Sequence, residues 1–351
     1  MKLTDIFKKK SACGLDLGSH WAKVVRVLPV RNGVQLDRLG RLSWSRKDRE
    51  KNDNIAQKLQ EMFDVLQLKD RTVVSSMAGH AVIIKRVELP VADTKDLDEN
   101  IHKQAKQYIP FDIDDVYLDF QVMGPGREAN TQSVIIVASK KKMVQEVQEI
   151  FEKAGLGTSI VDVDGFALSN CFEFNYPERQ AQSTYLLDIG ASHSVFCVYA
   201  NSEPIFIRDV AFGGQQVTEK LSSALDQNRR DVEKLKMSGL DSLQEEGLKE
   251  RAKHELTSLF GSWSEEVQRL ITFYHNSLDN PQSSDTLFLS GGGCLLQGIQ
   301  EHFSNYLELD VGFLDPWKNI DWDEKSFDGE YLTNNGPQFA LAVGLALRAA
   351  L

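Results

Sequence analysis

The sequence predicts an α/β fold of two related lobes, with a small α+β subdomain inserted in the first. Three observations lead there. The stretch "GLDLGSHWAKVVRV" at 14 to 27 has a counterpart, "LLDIGASHSVFCV", at 186 to 198: apolar residues, Asp, one apolar residue, Gly, small polar residues, then a β-rich run. Between the copies lies a block, 72 to 159, with strand and helix periods of its own. After the second copy, helical spacing dominates from about 215 to 282. A hairpin with Asp at its buried end, present twice, marks units related to each other.

Residues 1 to 10, "MKLTDIFKKK", form a tail. Leu3, Ile6 and Phe7 stand at helical spacing beside three lysines, so the tail is either a solvated end or a weak contact for a membrane surface or a partner. Residues 11 to 71 alternate as strands at 12 to 17, 23 to 28 and 33 to 44, then take a helical period through Ile55, Leu59, Met62, Phe63 and Leu66. This is the core of the first lobe, completed by 160 to 180 and 337 to 351. The inserted block, 72 to 159, opens with strands "TVVSS" and "AVIIKRVEL" and a helix through Leu97, Ile101, Ala105 and Tyr108. Strands "VYLDFQVM" and "SVIIVAS" follow, separated by the turn "GPGREANTQ", and then a helix from Met143 to Phe151 that stops at Gly155. The second lobe spans 183 to 336; its strands run on through "PIFIRDVAF" to the helical subdomain at about 215 to 282. There the longest helix carries Leu256, Leu259, Trp263, Val267, Leu270 and Tyr274, after which a strand, "TLFLS", feeds "GGGCLLQGI" and another helix.

Composition narrows the function. A chain of 351 residues, 42% hydrophobic, suits about two domains with real cores. The net charge of −11 argues against a general nucleic-acid binder, which needs a basic face. Four separated cysteines in apolar segments, with no C-x-x-C, read as reduced core residues of a cytosolic protein rather than zinc ligands or disulfides. The N-terminus lacks a signal-peptide apolar core, and "FALAVGLALRAAL" at 339 to 351 is too short to span a bilayer and carries Arg348. There is no complete G-x-G-x-x-G, no P-loop, no H-E-x-x-H and no G-x-S-x-G.

What remains is the Asp-hairpin. A tight turn between strands gathers backbone N–H groups into a nest for phosphate oxygens. Gly18 and Gly190 let the backbone approach, and Ser19, Ser192 and Ser194 add hydroxyls. Asp16 and Asp188 would repel an anion unless a hydrated Mg²⁺ stood between, so two facing hairpins form a clamp for a triphosphate. The strand-glycine-helix stretch at 286 to 299 offers bare backbone to the rest of a nucleotide.

In order and spacing these pieces resemble the actin-like ATPase superfamily: a phosphate hairpin at Asp16 to Lys23, a connecting segment at Asp162 to Leu168, a second hairpin at Asp188 to Ser194 and an adenosine turn at Ser290 to Gly293. "FALAVGLALR" resembles the second connecting helix, with Gly344 at its packing point. "QAKQYIPFDIDDVYLDFQV" at 104 to 122, "VDVDGFALSN" at 161 to 170 and "VAFGGQQVTEKL" at 210 to 221 are similar to the type IV pilus assembly family PilM, from about Lys8 to Arg348. That family resembles the cell-division protein FtsA.

The resemblance implies a duplicated ribonuclease H-like fold binding ATP and Mg. Asp16 and Asp188 would hold the hydrated metal, while Gly18, Ser19, Gly190 and Ser192 would contact phosphates. Lys23 is a phosphate contact or a solvent-facing strand residue; Asp164 orients the attacking water or merely caps a strand end. Glu233 and Lys236 bracket the ribose or form a surface pair, and Gly291, Gly292 and Gly293 lie against base and ribose. His20 and Trp21 depart from the small hydroxyl residues common in that family, which bears on hydrolysis before binding. The resemblance further implies a cytoplasmic protein, peripheral at the inner membrane. It would bind the N-terminal peptide of PilN and link the membrane alignment complex to the cytoplasmic motor. Tyr108, Ile109, Pro110 and Phe111 are the candidate peptide contacts, although "QYIPF" serves equally as an internal helix stop. The alternatives are a nucleotide-dependent filament of the FtsA and actin kind, a small-molecule kinase, and a scaffold that has lost its nucleotide.

Overall fold

The computed structural model describes residues 12–79, 82–91, 94–277 and 281–351, so the tail at 1 to 10 lies outside the described residues. Strands β1 (Cys13–Leu17), β2 (Trp21–Val30) and β3 (Gly33–Ser43) form an antiparallel meander. Helices α1 (Arg46–Arg49) and α2 (Asn52–Val65) follow, and β4 (Thr72–Met77) pairs parallel with β1. Alternation along β1 and β2 decides what covers each face. Cys13, Leu15, Ala22 and Val24 pack with Leu59 and Phe63 of α2, whereas Val25 and Val27 join the core on the other side of the sheet.

Strand β5 (Val82–Pro90), helix α3 (Thr94–Tyr108), β6 (Val116–Pro125) and β7 (Thr131–Lys140) make the inserted unit, an antiparallel sheet in the order β5-β7-β6 under α3. The turn read from "GPGREANTQ" is shorter than its nine letters, since strand pairing continues to Pro125 opposite Gln132. Helix α4 (Lys141–Lys153) and β8 (Gly157–Val163) return to the first lobe. Ile150 and Phe151 of α4 share the core beneath α2, and β8 pairs parallel with β4. Sheet pairing therefore confines the insertion to β5 through β7, inside the block of 72 to 159 read from the sequence.

Helix α5 (Asp164–Asn175) leads into the second sheet: β9 (Thr184–Ile189), β10 (Ser194–Ala200) and β11 (Glu203–Val210). Helices α6 (Gly214–Leu225), α7 (Arg229–Ser238) and α8 (Glu246–Ser277) cover it; β12 (Thr286–Ser290), α9 (Ile299–Leu307) and β13 (Asp310–Phe313) complete it in the order β11-β10-β9-β12-β13. The glycines after β12 open a short 3-10 turn, Gly292–Leu295, and a helix proper begins only at Ile299, a correction to the strand-glycine-helix reading. After β13 the chain crosses back: β14 (Ile320–Asp321) pairs with β3, and Trp317 and Leu332 sink into the core beside Val25 and Leu36. Residues up to 336, read from the sequence as second lobe, thus include a stretch from about 314 that the first sheet holds. Helices α10 (Gly329–Asn335) and α11 (Ala340–Ala350) close the first lobe, whose sheet runs β14-β3-β2-β1-β4-β8.

Helix α11 packs on β1, β2 and β4, while α5 packs on β10 and β11, so the crossing of these helices joins the lobes. A Cβ at Gly344 would stand 1.7 Å from the carbonyl oxygen of Ala167, which only glycine permits. All four cysteines are buried and free.

Candidate functional site

Asp16 and Lys23 face each other across β1 and β2, and Lys23 Nζ donates to Asp16 Oδ2 at 2.6 Å. Both are buried, at 7% and 9% exposure, so Lys23 is no solvent-facing strand residue. Burial pushes the Asp16 carboxyl up despite the lysine. For Lys23 burial works downward, but the charge and hydrogen bond of Asp16 prevail, raising it and keeping it charged. The same cross-strand row continues to Arg41 on β3. That guanidinium lies over Trp21 at 4.8 Å and donates to Gln338 Oε1 at 2.9 Å, so the unexpected Trp21 is held against its own lobe. Ser19 occupies the bend between the strands, and the carbonyl of Gly18 accepts from Trp44 Nε1 at 3.0 Å and Arg49 Nη1 at 3.1 Å.

The second hairpin repeats the backbone with different partners. Asp188 on β9 lies beside Val195 on β10 and Ser290 on β12, and Ser290 Oγ donates to it at 2.9 Å. Burial first, with Asp16 adding to it and Lys23 opposing, pushes the Asp188 carboxyl up to about 6. At both turns glycine is required, because a Cβ at Gly18 would stand 2.6 Å from the Trp21 carbonyl oxygen and one at Gly190 2.4 Å from that of His193. Ser192 Oγ contacts His193 Nδ1 at 3.1 Å, and His193 Nε2 lies 3.8 Å from Asp164 Oδ2. The Asp164 carboxylate beside it raises the His193 imidazole above its ordinary value, against burial.

Across the cleft, Glu233 and Lys236 share one side of α7 at 3.1 Å. Lys236 Nζ also donates to Gly214 O and Thr218 Oγ1, both at 2.9 Å, and Thr218 Oγ1 donates to Glu233. Burial lowers Lys236. This is an ordered network with α6, more than a surface pair. His20 of the first hairpin reaches Glu233 at 3.9 Å. Gly291, at φ +79°, donates its N–H to Pro337 O at 3.0 Å, and a Cβ at Gly292 would meet nothing within 4 Å, leaving that peptide facing open space.

The fold thus gathers Asp16, Lys23, Asp188 and Asp164 within electrostatic reach of one another, with Glu233 and Lys236 on the far wall and Gly291 to Gly293 beside β9. The sequence gives no role to Arg41 or Thr218, and it reads Ser290 only as the start of the adenosine turn, not as the partner of Asp188. The signals for Thr218 and Ser290 were their places four residues into a helix opened by Gly213 and Gly214, and directly before the glycine run. Among the described residues no cluster of three or more His, Cys, Asp or Glu side chains is arranged to hold a metal. Two buried carboxylates, of which only Asp16 is bonded to a lysine, do suit a hydrated Mg²⁺, which takes carboxylates through its waters.

A separate cavity of about 500 Å³ lies between the inserted unit and the second sheet, with Ile84, Tyr108 and Pro110 on one side and Gly165, Val195 and Asp209 on the other. Of the four candidate peptide contacts, Tyr108, Ile109 and Pro110 line it. Phe111 instead packs against the inserted core, with Lys140 Nζ 4.3 Å from its ring centre.

Residues 14–350 match the family profile described as type IV pilus assembly protein PilM. The chain belongs to the PilM family. A chain of the PilM-PilN type IV pilus biogenesis complex is 26% identical over 98% of this chain and 99% of its own, with a TM-score of 0.86. The ethanolamine utilization protein EutJ from Carboxydothermus hydrogenoformans matches at 13% identity, 96% and 89% coverage and a TM-score of 0.55. MreB 5 of Spiroplasma citri, bound to AMPPNP, matches at 9% identity, 95% and 94% coverage and a TM-score of 0.52. The last two establish shared architecture, and the fold is that of the actin-like ATPases. Among the described residues no helix is long and apolar enough to cross a membrane.

Proposed function

We propose that this PilM-family chain is a nucleotide-binding adaptor of type IV pilus assembly, with Mg-ATP in the cleft and the N-terminal peptide of a PilN protein in the cavity beside the inserted unit. The observation that carries the first half is the convergence of Asp16, Lys23 and Asp188 from two hairpins on opposite lobes. Lys23 and the hairpin amides would take phosphate oxygens, Asp16 and Asp188 would hold the metal's waters, and Glu233 and Lys236 would meet the ribose, with Gly291 to Gly293 against base and ribose. Mg²⁺ would supply charge neutralisation of the phosphates. Asp164, in contact with His193, is the residue best placed to orient a water, at the start of α5.

The peptide half is supported by the cavity's shape and lining and by the PilM-PilN complex among the structural relatives. A short extended peptide with apolar anchors suits it. From there the chain would sit at the cytoplasmic face of the inner membrane and connect the membrane complex to the motor, ATP fixing the relative orientation of the lobes. The test is calorimetric titration of Mg-ATP into wild type and Asp188→Ala, with and without a synthetic PilN-type N-terminal peptide. The expected result is binding lost in the variant and mutual dependence of peptide and nucleotide affinities. Peptide binding without ATP binding would leave a scaffold and end the nucleotide reading.

A further inference from the structure

We infer that His20 and His193 form a reciprocal clasp across the cleft that selects the terminal phosphate of the bound nucleotide. The inference rests on the nucleotide reading above and assigns two residues to that site. Each histidine stands just past the buried aspartate of its hairpin, and each reaches a carboxylate outside its own sheet, one on α7 and one at the start of the joining helix α5. His20 of the first lobe lies 3.9 Å from Glu233 of α7, and His193 of the second lies 3.8 Å from Asp164, the residue that follows first-lobe strand β8. Neither ring is packed away: their side chains are 32% and 41% exposed, at the tips where a terminal phosphate would arrive. The contact of His193 Nδ1 with Ser192 Oγ turns Nε2 towards Asp164, so one ring touches both a phosphate-side hydroxyl and a first-lobe carboxylate.

At His193 an imidazolium between Asp164 and an incoming anion would serve both, while His20, lowered by burial, would offer the anion a neutral N–H. On the proposed binding mode a nucleoside triphosphate would bring one more phosphate, and so one more anionic group, to the hairpin tips than a diphosphate. The two arms differ in charge. Around His193 stand Asp164 on α5, Asp188 on β9, Asp209 on β11 and Asp16 on β1, all favouring its protonated form. His20 faces Glu233 and Lys236 on α7 and Lys23 on β2, and burial lowers it. Preference for the triphosphate should therefore be strongest at low pH and fade as pH rises past the raised value of His193, above its ordinary 6.5.

The experiment measures dissociation constants of Mg-ATP and Mg-ADP at about pH 6 and about pH 8.5 for wild type, His20→Gln and His193→Gln. Expected is a wild-type preference for ATP that shrinks at the higher pH. Each variant should lose about fivefold in ATP affinity with ADP affinity unchanged, and His193→Gln should remove the pH dependence. Equal weakening of both nucleotides, or a pH-independent preference, overturns the clasp. A wild type that binds neither nucleotide overturns the nucleotide reading and the selectivity with it. The distance between labels on α2 and α8 then judges the contact itself: lobes that part with rising pH in wild type but not in His193→Gln uphold it, and an unchanged distance overturns it.

Discussion

The two hairpins share a backbone and differ in how their buried carboxylates are balanced. Along the first, the cross-strand row reads Asp16, Lys23, Arg41; along the second it reads Asp188, Val195, Asp209. The first neutralises itself through a lysine at 2.6 Å, whereas Asp188 receives one neutral hydrogen bond from Ser290. Duplication has kept the turn geometry and let the charge diverge. Under the proposed function, the second hairpin is therefore the arm that would call for an external cation, and the first the arm that would offer a positive charge to the phosphates.

The largest effect should come from Lys23→Ala, which leaves Asp16 buried without its partner and costs about 3 kcal/mol in urea unfolding near neutral pH. A loss well below that would mean that the first carboxylate is not balanced from within. Asp188→Asn should act in the opposite direction. A folded-state value of about 6 against an ordinary 3.8 means that the native state holds its proton more firmly, so the charged form costs stability above pH 6 and the cost fades as pH falls. The variant should gain about 2 kcal/mol near pH 7.5 and almost nothing near pH 4, as two urea titrations would show. No gain at the higher pH would erase the contrast between the arms.

Gly18→Ala and Gly190→Ala sharpen what the hairpins share. Each Cβ meets a backbone carbonyl, at 2.6 and 2.4 Å, so both should lose about 1–2 kcal/mol and by similar amounts. Thermal unfolding that separated the two widely would deny the common turn. Smallest is Arg41→Ala, about 1 kcal/mol, from the lost stacking on Trp21 and the hydrogen bond to Gln338; quenching of Trp21 fluorescence reports the stacking.

Much of this was legible in the sequence because it is written locally. The Asp-hairpins show as alternation interrupted by Asp and Gly, and α2 and α8 show as helical periods. What escaped depends on contacts distant in the chain. "GTSIVDV" in β8 has a broken apolar pattern and becomes a strand only beside β4, while β14 is two residues long and exists through β3. The crossing back near 314 follows from Trp317 and Leu332 joining a core that includes Val25, Val27 and Leu36, about 300 positions earlier, which no window of sequence contains. At the site, Asp16, Asp188 and the glycines announced themselves. Lys23 was ambiguous until its partner was placed, and the reach of each histidine beyond its own sheet depends on how the lobes sit together.

The crossing at Gly344 has a mechanical consequence. Helices α5 and α11 meet there backbone to backbone, with no side chain between them to act as a bearing surface. Sliding one lobe past the other would drive Ala167 or its neighbours into the opposing helix, whereas turning about the point of contact keeps the helices touching. The contact is thus placed like the pin of a pair of scissors, deep in the body, and a small twist at Gly344 would open into a larger movement out at the hairpin tips.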